Sequence, residues 1–102
     1  MAAPSEQRGA VAWSPQDRFA PQSDVVVERI DAEVVLLDLL RNAVFDLNEV
    51  GGFVWERLGE GCSVVRVVDA VCDAFEADRV QVEADVRELI DALLAAGLLK
   101  KV

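Results

Sequence analysis

This 102-residue chain contains no His and no Tyr, so chemistry in it would rest mainly on carboxylates, two thiols and a few hydroxyls. Without an imidazole, no side chain of ordinary pKa serves acid/base work near neutrality, and the Ser and Cys residues have no candidate base to activate them. The densest carboxylate group, Glu83, Asp85, Glu88 and Asp91, is interleaved with Arg79 and Arg87 as on a solvated helix face. Gly51-Gly52 sits inside a helical pattern and Gly59 and Gly61 flank a helix end, neither with the downstream Lys and Ser/Thr of a phosphate loop. Cys62 and Cys72 have neither metal-ligand spacing nor the density of a disulfide scaffold, so both are expected as free thiols, one in a loop and one as a small core residue. These features predict a protein that is not an enzyme, with no metal and no cofactor.

With 53% apolar and 28% charged residues, the composition is that of a globular chain. Its length fits one small domain burying about 60–65% of its unfolded surface. No apolar run approaches the ~18 residues of a membrane span, and the opening MAAPSEQRGAVAWSPQDR lacks the pattern of a secretory signal. The expectation is a cytoplasmic protein with no membrane partner. A net charge of −9 opposes binding to phosphate backbones, whose affinity comes from Lys and Arg displacing counterions, so no nucleic-acid partner is expected.

Residues 1–23 hold all three prolines amid Ser, Gln and Ala, with Trp13 and Phe19 as the large apolar residues, and read as a flexible tail. The ordered domain is expected over 24–102. From Val25 the texture turns β-branched: VVVERI, EVVLLDL and AVFDL predict three short antiparallel strands. Ile30-Asp31-Ala32-Glu33 connects the first pair and Leu40-Arg41-Asn42-Ala43 the second, where Asn42 is the residue best suited to a left-handed backbone. Asn48 can cap a helix starting near Glu49, in which Val50, Phe53, Val54 and Leu58 keep helical spacing and Trp55 widens the stripe. Gly51 and Gly52 together disfavour that helix by about 2 kcal/mol, which points to close packing there. Ser63 is expected to cap a second helix carrying Val64, Val67, Val68, Val71 and Phe75. A third runs over 80–96, with Val82, Val86, Leu89, Ile90, Leu93 and Leu94 inward and Gly97 as its stop. The fold class is therefore α+β, a winged helix-turn-helix-like arrangement of a three-stranded antiparallel sheet followed by three helices. That outline alone does not separate a DNA reader from a protein-binding module.

A DNA-reading third helix would present Gln81, Glu83, Asp85, Glu88 and Asp91 to phosphates, which repel it. An acidic winged-helix module for protein contacts or transcription regulation is the alternative function. Peptide recognition fits a three-stranded meander, because an outer strand keeps N–H and C=O groups free to bond an extended chain. The third strand, Ala43–Leu47, is the candidate edge. The residues alone fit equally well an edge that is short, blunted by Asp46 and pairs with nothing. They also leave open which of its faces, Ala43/Phe45/Leu47 or Val44/Asp46, meets the helices.

The run VVLLDLLRNAVFDLNEVGGFVWERLGEG, followed by Ser63-Val64, Asp85-Val86, Leu89, Leu93 and Gly97-Leu98-Leu99, resembles the PqqD-like family, also called RiPP recognition elements. Leu47, Asn48, Gly51 and Trp55 match position by position; Asn42, Ala43 and Val44 stand where family members often have Gly and aromatic residues. The resemblance covers roughly residues 25–100. It implies a module that binds the leader of a precursor peptide as a further strand beside the third strand, packed against the third helix. The partners it implies are that leader and a maturation enzyme: a radical S-adenosylmethionine enzyme, a leader peptidase as in lasso-peptide systems, or another maturase. The peptide-binding residues then expected are Ala43, Val44, Phe45 and Asp46 on the strand and Val86, Leu89, Ile90 and Leu93 on the helix. Arg41 and Arg87 are candidates to pair with acidic leader residues.

Overall fold

Alternation along the β-branched stretch decides the first layer. In the computed structural model, which describes residues 12–102, strands β2 (Val25–Ile30), β3 (Glu33–Asp38) and β4 (Ala43–Leu47) form an antiparallel sheet in the order β2-β3-β4. Strand β3 is central and points Val34, Leu36 and Asp38 inward, with Val35 and Leu37 on the other face. Register carries this alternation to β4, where Phe45 and Leu47 lie opposite Leu36 and Val34 and share the inner face. Val44 (64% exposed) and Asp46 face solvent. Asp31 and Asn42 both adopt positive φ, 57° and 55°, in the two turns. The inward Asp38 is only 6% exposed, yet its carboxylate accepts hydrogen bonds from the Leu40 and Arg41 N–H groups at 3.1 and 3.2 Å, which satisfies a buried acceptor.

Three helices follow, the first lying on the inner face of the sheet and the other two packing against it and each other: α1 (Glu49–Gly59), α2 (Val64–Phe75) and α3 (Arg79–Ala95). Asn48 caps α1, its side-chain oxygen accepting from Gly51 N at 2.8 Å. The paired glycines have the steric reason that the sequence anticipates: a Cβ on Gly52 would come within 2.8 Å of Val34 Cγ2, so α1 lies directly on β3. Trp55, Val54 and Leu58 from α1 join Val64, Val67, Val68 and Val71 from α2 and Val82, Val86, Ile90 and Leu93 from α3 in one core. Asp78 caps α3, accepting from Gln81 N, and Gly97 (φ 76°) ends it. Sheet and helices thus form the α+β arrangement expected of the sequence, with α3 starting one residue early.

Two expectations need correction. Residues 12–23 are not a tail standing apart from the domain: β1 (Phe19–Pro21) pairs antiparallel with β5 (Leu99–Lys101), and Phe19 is 1% exposed in the core. The remainder of the expected tail, residues 1–11, lies outside the described residues. Ser63 occupies the cap position of α2, but its side chain makes no capping bond. Main-chain carbonyls replace it, since Val64 N donates to Asp17 O at 3.1 Å and Val65 N to Pro15 O at 2.8 Å. This N-terminal strap, residues 12–23, therefore caps a helix 47 or more residues away in sequence and gains a fixed course by doing so. Its Asp17 carboxylate is held below the usual carboxylate range by the Ser14 N–H, against some burial, with help from Lys101 at 3.3 Å.

The contact at Gly52 yields a paired test. Gly52→Ala should lower stability by about 1–2 kcal/mol, because overpacking against the stiff Val34 side chain outweighs the gain in helix propensity. Gly59→Ala, where an added Cβ meets nothing within 4 Å, should raise stability by about 0.5 kcal/mol. Urea denaturation of both variants measures the difference.

Candidate functional site

Strand β4 is an outer strand, and among the described residues no strand pairs with its far side. In an antiparallel ladder alternate residues direct their N–H and C=O toward the neighbour, so the others of β4 point theirs outward, unpaired. Beside this edge runs α3, and the two lie antiparallel. Arg41, just before β4, reaches the C-terminal end of α3, its Nη1 donating to Ala96 O at 2.8 Å. At the other end Asp46 and Leu47 face Asp85, Val86, Glu88 and Leu89 across a groove of about 350 Å³. The first two turns of α1 close that groove through Val50, Gly51 and Val54. Five strand residues at about 3.3 Å each give an edge of roughly 17 Å, enough to seat a short extended segment.

The residues expected to bind peptide divide in this arrangement. Ala43, Val44 and Asp46 are exposed along the edge, and Phe45 is half-buried against the core beneath it. Leu89 is half-buried at the groove, where Val86, 2% exposed, contributes to the floor. Ile90 and Leu93, both 0% exposed, lie behind that floor as core residues and present no surface to a ligand. The two arginines are committed elsewhere. Arg41 holds Ala96 O and the Asp38 carboxylate (3.5 Å), and its guanidinium fills the space a side chain at Gly97 would need. Arg87 stacks on Trp13, 4.5 Å from the ring centroid, on the opposite flank of α3 from Leu89. Trp13 is fixed there by donating from Nε1 to Asp91 at 2.8 Å. In place of the arginines, the groove carries residues from the first two turns of α1, Val50 and Val54, and the carboxylates of Asp85 and Glu88. The Asn48 cap and the Gly51-Gly52 pair were the available signal for the former; the latter read as ordinary solvated charge.

Among the described residues no group of three or more His, Cys, Asp or Glu side chains is placed to hold a metal ion. Nor, among the described residues, is any helix long and apolar enough to cross a membrane. What the arrangement offers is a hydrogen-bonding edge above an apolar slot.

Residues 33–99, well over half of the sequence, match the family of coenzyme PQQ synthesis protein D (PqqD). The chain belongs to the PqqD family. Two solved structures are similar to this PqqD-family chain over most of its length. TbiB1, solved in complex with the TbiA(beta) leader peptide, is 40% identical, with a TM-score of 0.74 over 79% of this chain and 94% of that one. A lasso peptide synthetase B1, complexed with the leader peptide, is 25% identical at the same TM-score of 0.74, over 81% of this chain and 98% of that one. No curated protein sequence is significantly similar. The family match begins at β3 and so includes β4, α1 and α3, the three elements that frame the groove; the strap, β1 and β2 precede it.

Because Arg41 ties the β3–β4 turn to the end of α3, Arg41→Ala should cost about 0.5–1.5 kcal/mol. Amide exchange should quicken mainly across the β3–β4 turn and around Gly97. Unchanged exchange there would mean that the contact holds nothing together.

Proposed function

We propose that this protein binds the leader of a ribosomally made precursor peptide as an added strand on the open edge of β4. It holds that leader, without catalysis, for a modifying or processing enzyme. The observation that carries the reading is the open β4 edge beside the β4–α3 groove, in a chain whose structural neighbours are solved with leader peptides. Main-chain pairing along the edge supplies register and part of the affinity, while an apolar leader side chain seated over Val50, Val86 and Leu89 supplies selectivity. The similarity to lasso peptide synthetase B1 favours a leader peptidase as the partner over a radical S-adenosylmethionine enzyme. Precursors made on ribosomes place this work in the cytoplasm.

An interface below about 1,600 Å² corresponds to dissociation constants from nanomolar to micromolar. Isothermal titration against leaders of short precursor peptides encoded beside the gene should return a value in that range. If none binds, alone or with the partner enzyme, the proposal fails.

Proline variants then locate the edge. Val44→Pro and Phe45→Pro each remove one strand N–H, and only one of the two N–H groups points to the open side. One variant should abolish leader binding while keeping a cooperative melt, whereas Trp55→Ala should lose about 3–5 kcal/mol and unfold the domain. Leader binding equal to wild type in both folded proline variants would move the peptide site away from β4.

A further inference from the structure

The groove beside β4 has a charge pattern that its apolar floor does not require. Leu47, Val54 and Val86 are buried beneath it, and Val50 and Leu89 are half-buried at its walls. Three carboxylates stand around this floor: Asp46 on β4, and Asp85 and Glu88 on α3. All three side chains belong to exposed residues, and among the described residues none lies within 4 Å of a Lys or Arg. Asp85 accepts one hydrogen bond from Gln81 Nε2 at 2.9 Å, which leaves its charge uncompensated. The arginines nearest in sequence, Arg41 and Arg87, are held at Ala96 O and at the Trp13 ring. The N-terminus of α1 brings only about half a positive charge to this end, and Glu49 in its first turn offsets that. The groove is therefore apolar below and anionic at the rim.

We propose that Asp46, Asp85 and Glu88 make this groove selective for a peptide segment whose apolar anchor is flanked by Lys or Arg. The inference rests on the leader-binding reading above and specifies the leader that the site takes. A basic residue beside the anchor lies within reach of carboxylates contributed from both walls of the groove. An acidic residue in the same place meets only like charge. Each pair is solvent-exposed and individually weak, so discrimination comes from the three acting together. Exposure also makes it sensitive to salt, because the Debye length shrinks from roughly 10 Å at 0.1 M to about 3 Å at 1 M.

The test measures fluorescence anisotropy of two labelled probes: the leader of the precursor encoded beside the gene, and the TbiA(beta) leader peptide. Each position of each probe is replaced in turn by Lys and by Glu. With the wild-type protein, positions flanking the apolar anchor should favour Lys over Glu by about three- to tenfold, and the gap should narrow in about 0.5 M salt. In D46N/D85N/E88Q it should fall below about twofold. It should persist in D24N/E33Q/D73N, which removes the same charge from exposed carboxylates outside the groove. The single variant Glu88→Gln, expected to narrow the gap partway, serves if the triple variant melts early. A flat Lys/Glu scan overturns the rim assignment, as does a preference that survives D46N/D85N/E88Q, while leaving leader binding itself intact. Absence of binding by both unsubstituted probes instead removes the leader reading, and this inference with it.

Discussion

The seat of α1 on β3 is the constraint from which the rest of the structure follows. Gly52 leaves room for Val34 Cγ2 at a distance no other residue would allow, so the helix axis is set by contact of backbone with a β-branched side chain. Four residues upstream, Asn48 stops β4 and starts the helix in one step, accepting the Gly51 N–H while Leu47 turns into the core. A strand that ends in its own helix cap cannot be followed immediately by another strand on its outer side. The open edge is thus a consequence of how β4 and α1 join, and α3 packing over α1 places its Asp85–Leu89 stretch beside that edge.

A second layer of order comes from the strap and the C-terminal strand. Pro21 sits in β1, where a two-stranded sheet asks little of its missing N–H. The strap's carbonyls at Pro15 and Asp17 complete α2, and Trp13 rests on α3 between Arg87 and Asp91. Phe19 meets Trp13 edge to face at 5.7 Å and is itself buried, so the strap is anchored by an apolar residue as well as by hydrogen bonds. It thereby fixes the flank of α3 that faces away from the groove.

What was legible in the sequence is local in origin. Asn42, Asn48 and Gly97 announce turns, a cap and a stop because each solves a backbone problem within a few residues, and the structure uses each that way. The strands and helices follow from periods of two and 3.6 for the same reason. The strap was not legible, since its partners in β5 and α2 are long-range and its Pro, Ser and Gln content resembles an unanchored segment. Ser63 misled for a related reason: a good cap residue in the cap position goes unused when a distant carbonyl takes the N–H first. The face of β4 could not be read from alternation, because both phases carry apolar residues. Only the register with β3 turns Phe45 and Leu47 inward. Arg41 and Arg87 read as free cations; one satisfies a helix C-terminus and the other an aromatic ring, contacts with no signature in spacing.

Helix α3 serves three neighbours at once, which limits how function can be separated from folding. Its Val82, Val86, Ile90 and Leu93 stripe is core, one flank with Arg87 and Asp91 holds the strap, and the other with Asp85, Glu88 and Leu89 borders the groove. Truncating the core stripe would disturb all three surfaces together, because close-packed interiors pass strain on to their neighbours. Flank residues differ, since exposed side chains usually contribute within about 0.5 kcal/mol to stability. A helix with its core stripe fixed can therefore change its groove flank with little effect on the fold. On that argument, the leader specificity proposed above would reside in Asp46, Asp85, Glu88 and Leu89, whose side chains border the groove without being fully buried, whereas Trp55, Leu58 and Leu93 preserve the frame that holds them.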